Sequence, residues 1–328
     1  MREPELLTRR DGIDEPVPGE TRRAVEAQPE WLRAVPTDRR LPSGARVVFT
    51  GCGTSFHAAQ TGGWAVQALE AVLEPPDADL MVCVSHEGTT ALTLEAARAF
   101  GGPKWLVTGR ADSPLGELAE EVVVCTPEIE RSWCHTASYT CAVAAIAALR
   151  GDDVSWLPAA VEEALHARPE PFAHDRVVVA GAGRDLATAY EAVLKLREGA
   201  HIAAEGYETE QLLHGYLAAV DETVRAYVLS GEGRAAERAD DAVRALEALG
   251  CDTTLVETRH PVVDVVYFQL LMLAVAAARG IDPDPIRREP GSRWARAAGS
   301  AYPYTGAPGD PPTGDSAAGG TLPAKEEP

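Results

Sequence analysis

Three ionisable residues share one face of a run that is otherwise apolar. In Glu191-Ala192-Val193-Leu194-Lys195-Leu196-Arg197-Glu198, the residues Glu191, Lys195 and Glu198 fall at i, i+4 and i+7. That spacing puts them on one side of a helix. Glu205 extends the stripe, and Ala192, Val193, Leu194, Leu196 and Ala200 surround it. A carboxylate–ammonium–carboxylate row has two readings. One is a solvated helix face, the commonest source of such a pattern. The other is a partly buried acid–base set, in which burial raises a Glu pKa and lowers a Lys pKa, bringing both nearer neutrality. Composition draws attention to the lysine. Only Lys104, Lys195 and Lys325 are lysines among 30 Lys and Arg residues. Where arginine supplies nearly every positive charge, a retained lysine points to a need for a compact, tunable amine.

A second set suits anion binding. Four strand formers, Val47 to Thr50, run into Gly51-Cys52-Gly53-Thr54-Ser55 and then a helix-compatible segment. The glycines allow close backbone approach, and a helix start offers free N–H groups and a positive dipole end. The turn reads either as a phosphate site or as an ordinary β–turn–α corner. A second hydroxyl-rich loop, Ser85-His86-Glu87-Gly88-Thr89-Thr90, follows the apolar run Leu80–Val84. Ligands of parallel sheets bind outside the carboxyl ends of the strands. The binding set expected there is Gly53, Thr54, Ser55, Ser85, His86, Glu87 and Thr90. Glu87 conflicts with a phosphate unless it points away or is protonated. His214, before Gly215, reads as a helix C-terminal cap or as a catalyst. His57, His86 and His135 lie near the first loops without an assigned role.

The elements that must position these residues alternate as strand and helix, which predicts an α/β fold with parallel, doubly wound sheets. Residues 1–45 read as an arm with one helix near Thr21 to Val35. Residues 46–150 form a first lobe, with strands at Val47–Thr50, Leu80–Val84, Trp105–Thr108 and Glu121–Cys125. Its helices are expected at Phe56–Leu73, Ala91–Ala99 and Thr136–Leu149. Residues 151–175 are a linker. The opening pattern then recurs, Arg176-Val-Val-Val-Ala-Gly181-Ala-Gly183 echoing Arg46-Val-Val-Phe-Thr-Gly51-Cys-Gly53 at an offset of 130 positions. This repeat predicts a second lobe over 176–298, with a long helix from Leu186 to about Ala204. In it Arg184-Asp185 replaces Thr54-Ser55, so the protein's own carboxylate fills the second turn. Residues 299–328, rich in Gly, Pro, Ala, Asp and Thr, are expected to be disordered.

Composition narrows the function. A formal net charge of −20 without a basic patch argues against nucleic acid and anionic membranes as partners. No apolar run of membrane-spanning length and no secretory signal is apparent, so the cytoplasm is the expected location. Six cysteines without a Cys-x-x-Cys pair read as buried reduced thiols, and no metal is expected. The two Gly-x-Gly turns lack the third glycine of a dinucleotide fingerprint, having Phe56 and Leu186 there, and no cofactor is expected.

Together these residues resemble the sugar isomerase (SIS) domain family. Residues 46–290, about three quarters of the chain, are similar to the tandem-SIS isomerase half of the glutamine–fructose-6-phosphate amidotransferases. The motifs are Gly51-Cys-Gly-Thr-Ser55, Ser85-His-Glu-Gly-Thr-Thr90, Glu130 through Thr140, Leu194-Lys-Leu-Arg-Glu198, Ala204-Glu-Gly-Tyr207 and Leu213-His-Gly215. The resemblance implies two tandem SIS lobes in a homodimer with shared active sites. Thr54, Ser55, Ser85 and Thr90 would hold a sugar phosphate. Glu198 would move a proton between C1 and C2, Lys195 would steady the enediolate, and Glu191 would join the same row. His214 would open the sugar ring across a dimer interface. The implied activity is that of a phosphosugar isomerase, aminotransferase or deaminase; the alternative is a non-catalytic sugar-phosphate sensor. Three departures stand out: Glu87 replaces a phosphate-binding Ser, His135-Thr136-Ala137 replaces Ser-Thr-Lys, and Pro285–Pro290 lacks the Schiff-base lysine. Arg2 follows Met1, so no glutaminase nucleophile is expected, and amination would need free ammonia or a separate ammonia-supplying subunit.

Overall fold

The computed structural model describes residues 19–289 and 291–301. Among the described residues, nine strands form two parallel sheets. The first contains β1 (Val47–Gly51), β2 (Ala65–Gln67), β3 (Leu80–Val84), β4 (Lys104–Thr108) and β5 (Glu121–Val124), in the order β2-β1-β3-β4-β5. The second contains β6 (Arg176–Gly181), β7 (Ala203–Glu208), β8 (Val224–Leu229) and β9 (Asp252–Val256), in the order β7-β6-β8-β9. All five residues of β3 are buried, as a parallel strand covered on both faces requires.

The helices that accompany them are α1 (Glu20–Arg33), α2 (Thr54–Gln60), α3 (Ala68–Leu73), α4 (Ala91–Ala99), α5 (Ala137–Arg150), α6 (Leu157–Ala164), α7 (Asp185–Gly199), α8 (Thr209–Leu213), α9 (Arg234–Ala248), α10 (Pro261–Ala278) and α11 (Arg293–Ala301). The first sheet packs one face on α1, α5 and α6 and the other on α3 and α4. The second packs one face on α7 and α10 and the other on α8 and α9. Every residue of α5 except Arg150 is buried, so this Ala-rich helix has no solvent face.

Two expected helices are shorter than their sequence suggests. The run Phe56–Leu73 is not one helix: α2 stops at Gln60, and Ala65–Gln67 pairs with β1 in the register Phe49↔Ala65. Gly62 lies under the Phe49 ring, where an added Cβ would come within 2.6 Å, and Gly63 has φ 113°. The chain can double back only because both positions are glycine. Likewise α7 ends at Gly199 rather than near Ala204, because Gly199 packs on Met272 and His201 turns left-handed at φ 56°. Ala203–Glu208 is the edge strand β7. Glu205 is therefore off the α7 face and instead accepts the Tyr207 hydroxyl at 2.9 Å.

One apolar run does reach spanning length. The 18 residues of α10 have a mean hydropathy of 1.9, and 72% of them are buried, packed on α5, α6 and α7. It is a core helix of the kind that passes a membrane test by composition alone. The tail expected to be disordered from residue 299 begins later than that, because α11 runs to Ala301; residues 302–328 lie outside the described residues.

The Gly62 turn is open to test. Gly62→Ala should lower stability in urea denaturation by about 1–3 kcal/mol, since the new methyl must displace the Phe49 ring. An unchanged midpoint would show that the turn tolerates a side chain.

Candidate functional site

Both sheets reverse their strand order beside their first strand, between β1 and β3 and between β6 and β8. Crevices open at such points beyond the carboxyl ends of the strands. At the first lie the turn leading into α2 and the Ser85–Thr90 loop. Helix α2 packs on α7, which carries the first-sheet turn against the ionisable row of the second half.

Lys195 is the centre of what this contact makes. Its side chain is wholly buried. The ammonium donates to Glu198 Oε2 at 2.8 Å, Thr54 Oγ1 at 3.3 Å, His135 O at 3.5 Å and the Cys134 carbonyl, and lies 3.3 Å from Glu191 Oε1. Glu191 is also fully buried, and its other oxygen faces His57 Nδ1 at 2.7 Å. Glu198 keeps 24% side-chain exposure, so it is the member of the triplet that opens to solvent. The solvated-face reading of the row is therefore excluded. So is the expected fall in the lysine pKa. Burial lowers it, but the charges of Glu191 and Glu198 outweigh burial and hold the ammonium above its ordinary range. Burial raises the Glu198 carboxyl, with Lys195 opposing the shift. Arg288 also lies close enough to favour the charged Glu198.

The carbonyls that face Lys195 are set by a stapled loop. The buried Glu130 carboxylate accepts from Thr136 N (2.7 Å), Thr136 Oγ1 (3.1 Å) and Ser138 N (2.7 Å). Ser132 Oγ accepts Cys134 N at 3.2 Å and meets Thr21 Oγ1 at 3.0 Å. Thr21 belongs to the start of α1, whose three N–H groups at Gly19, Glu20 and Thr21 all donate to the buried Asp284 carboxylate. The segment that contains Arg288 is thus tied to the loop that holds the lysine.

The expected binding residues divide. Gly53 has φ 56° with open space where a Cβ would stand, so its backbone faces the crevice. Thr54 is drawn into the Lys195–Glu191 cluster and also donates to Glu191 at 3.3 Å. Ser55 is half-buried in the first turn of α2. Ser85 and Thr90 pair across their own loop at 3.1 Å. His86 Nε2 accepts Glu130 N at 2.9 Å, and its ring meets His135 edge-on at 5.3 Å, which links the two loops. Glu87 is half-buried in the same turn. His214 is not brought to the row: it caps α8, is 81% exposed and lies 3.6 Å from Glu210. His57 carried no assigned role in the sequence and proves to be part of the cluster. The signal was present, because His57 stands three residues after Thr54 on the same face of α2.

The corresponding turn of the second sheet also has its glycine facing open space, Gly183 at φ 59°, but carries Arg184-Asp185 in place of the hydroxyls. Asp185 is buried at the start of α7 and accepts Thr258 Oγ1 at 2.8 Å. A cavity of about 540 Å³ lined by Arg40, Phe49, Trp64 and Arg150 lies at the amino end of β1 and shares no residue with the row.

No family model matches the chain. Among solved structures, the C-terminal domain of glucosamine-fructose-6-phosphate aminotransferase from Francisella tularensis aligns at a TM-score of 0.67 and 19% identity, covering 84% of this chain and 99% of that one. Glucosamine-6-phosphate deaminase from Thermotoga maritima aligns at 0.66 and 20%, covering 84% and 98%. Tagatose-6-phosphate ketose/aldose isomerase from Escherichia coli aligns at 0.66 and 17%, covering 83% and 97%. The fold is that of the phosphosugar-isomerase (SIS) domains. In sequence the chain is a relative of glutamine–fructose-6-phosphate aminotransferase [isomerizing]. It is 27% identical to the protein of Gloeobacter violaceus over 310 residues, 74% of this chain and 50% of that one, and 28% identical to that of Symbiobacterium thermophilum, with the same coverage. The chain spans about half the length of these curated relatives, and the match lies over their isomerase half.

Two outcomes follow from the charges. Lys195→Met leaves two α7 carboxylates facing each other without their cation, and should lower stability at pH 7.5 by about 3–5 kcal/mol in urea denaturation. Asp264, buried at the start of α10, has its carboxyl pushed up to about 6, by burial above all. The folded protein keeps this proton where the unfolded chain has lost it. Its contribution is therefore greatest at low pH and is lost as pH rises from about 4 to about 6, at up to roughly 1.4 kcal/mol per pH unit. Asp264→Asn should flatten the stability–pH curve in that window; an unchanged slope would remove Asp264 as its source.

Proposed function

We propose that the protein is a phosphosugar enzyme of the isomerase, aminotransferase or deaminase type. It would act on a ketose or aminosugar 6-phosphate through a cis-enediol or enamine. The observation that carries this reading is the pairing of Glu198, partly exposed, with a buried ammonium one turn away. Residues 46–150 and 176–298 serve as the two lobes. The sugar phosphate lies at the first-sheet crevice, held by Gly53, Thr54, Ser55, Ser85 and Thr90 with His86 shaping the loop. Glu198 removes the proton from C2 or C1. The C–H electron pair forms the carbon–carbon double bond, the displaced pair settles on the carbonyl oxygen, and the neighbouring hydroxyl then passes its proton to that oxygen as it becomes the new carbonyl. Lys195 stabilises the negative charge that develops on that oxygen. Held as an ammonium, it serves by charge and not as a nucleophile. The same carboxyl returns the proton to the neighbouring carbon. Glu191 holds Lys195 in place. His214 opens the ring from a second copy of the chain, which makes the working unit a homodimer. Amination would draw on free ammonia or on a separate subunit. Six free thiols suit a reducing compartment such as the cytoplasm.

Glu87 favours a second reading, in which the protein binds a sugar phosphate without turning it over and regulates a partner. A carboxylate in the phosphate loop weakens affinity for a standard 6-phosphate.

Hydrogen exchange at C1 and C2 of fructose 6-phosphate and glucosamine 6-phosphate in deuterated water separates the two. The wild type should exchange, and Glu198→Gln should lose about 10²–10⁴-fold while still binding the sugar. Binding without exchange in the wild type would transfer the case to the sensor.

A further inference from the structure

We infer that His57 is a positioning residue for the Lys195–Glu198 pair, acting through Glu191, and that its ring stands in the Nδ1–H form. The inference rests on the function proposed above and adds a residue to it.

Glu191 has no exposure, so both carboxylate oxygens depend on donors within the protein. Oε1 has two, Lys195 Nζ at 3.3 Å and Thr54 Oγ1 at 3.3 Å. Oε2 faces His57 Nδ1 at 2.7 Å. A carboxylate only accepts, so the proton of that bond is on Nδ1. His57 and Thr54 come from α2, at the carboxyl end of the first sheet, and Glu191 from α7, at that of the second. The bond therefore ties the two halves together at the lysine. The imidazole has little freedom to turn away, since only 17% of the side chain is exposed and the Tyr190 ring lies 6.0 Å from it, centre to centre.

Removing the Nδ1 donor would leave Oε2 buried and unpaired. The nearest remaining cation is Lys195. Rotation of the Glu191 carboxylate towards it would draw Nζ away from Glu198, which it now meets at 2.8 Å. That displacement affects the base and its neighbouring ammonium while leaving the Ser85–Thr90 loop alone. The effect should appear in kcat and not in KM. Asparagine places an amide N–H close to where imidazole carries Nδ1–H, so it can replace the donor; leucine keeps the bulk and cannot.

The test compares proton exchange on fructose 6-phosphate in wild type, His57→Leu and His57→Asn, with ¹⁵N spectra of the histidine rings of wild type and Glu191→Gln. His57→Leu should lower kcat about 10- to 100-fold with KM within about twofold, and His57→Asn should recover most of the loss. An active His57→Leu, an asparagine variant as slow as the leucine one, or a KM that rises in step with the loss would overturn the assignment. If the wild type exchanges no proton, the proposed function fails, and the spectra decide on their own. A ring protonated on Nδ1, with a resonance displaced in Glu191→Gln, upholds the tie. A ring protonated on Nε2, or one indifferent to Glu191, refutes it.

Discussion

A single nitrogen, Lys195 Nζ, constrains more of this structure than any other atom. An ammonium removed from water costs several kcal/mol even after relaxation, and it is tolerated only with excellent partners. Here the partners come from three places: Glu191 and Glu198 on α7, Thr54 after β1, and the Cys134 and His135 carbonyls after β5. Each is held by something else. Glu130 and Ser132 shape the loop, Asp284 fixes the start of α1 beside it, and His57 satisfies the far oxygen of Glu191. The two sheets are thereby registered against each other through charge as well as through the apolar faces of α5 and α10.

The two halves repeat one topology and use it differently. Each sheet leaves a crevice beside its first strand, and the two turns that face these crevices differ in their side chains. In the second, Asp185 is buried at the start of α7 and accepts the Thr258 hydroxyl. The first turn has hydroxyls in place of that carboxylate, while the glycines of both turns, Gly53 and Gly183, face open space. The cluster at Lys195 joins the two, with carboxylates from one half and a hydroxyl from the other.

The net charge of −20 adds a constraint on binding. An anionic ligand gains nothing from the field of the whole molecule, so its recognition depends on short-range donors: backbone N–H groups, hydroxyls and the few local cations. The buried lysine is already balanced by two carboxylates. Its value to the chemistry lies in charge that shifts during a reaction, since an ammonium fixed beside a forming oxyanion needs no reorganisation.

How much of this was legible in the sequence follows from what sequence can encode. Period and punctuation set the strand Leu80–Val84 and the helix Ala91–Ala99 at their observed limits, and helical spacing put Glu191, Lys195 and Glu198 on one face. The repeat of the Gly-x-Gly turn announced two similar halves, whereas Asp185, expected to fill the second turn, accepts the Thr258 hydroxyl instead. The break of Phe56–Leu73 was hidden, because it depends on Gly62 meeting the Phe49 ring of another element. The sign of the lysine shift was hidden as well. Burial alone would lower that pKa, and only the tertiary structure sets the distances at which two carboxylates overrule burial. His57 could be placed on the face of Thr54 but not against Glu191, 134 positions away. Local periodicity determines which side chains share a face. Which faces meet, and hence which charges must neutralise each other, is decided by the packing of α2 on α7.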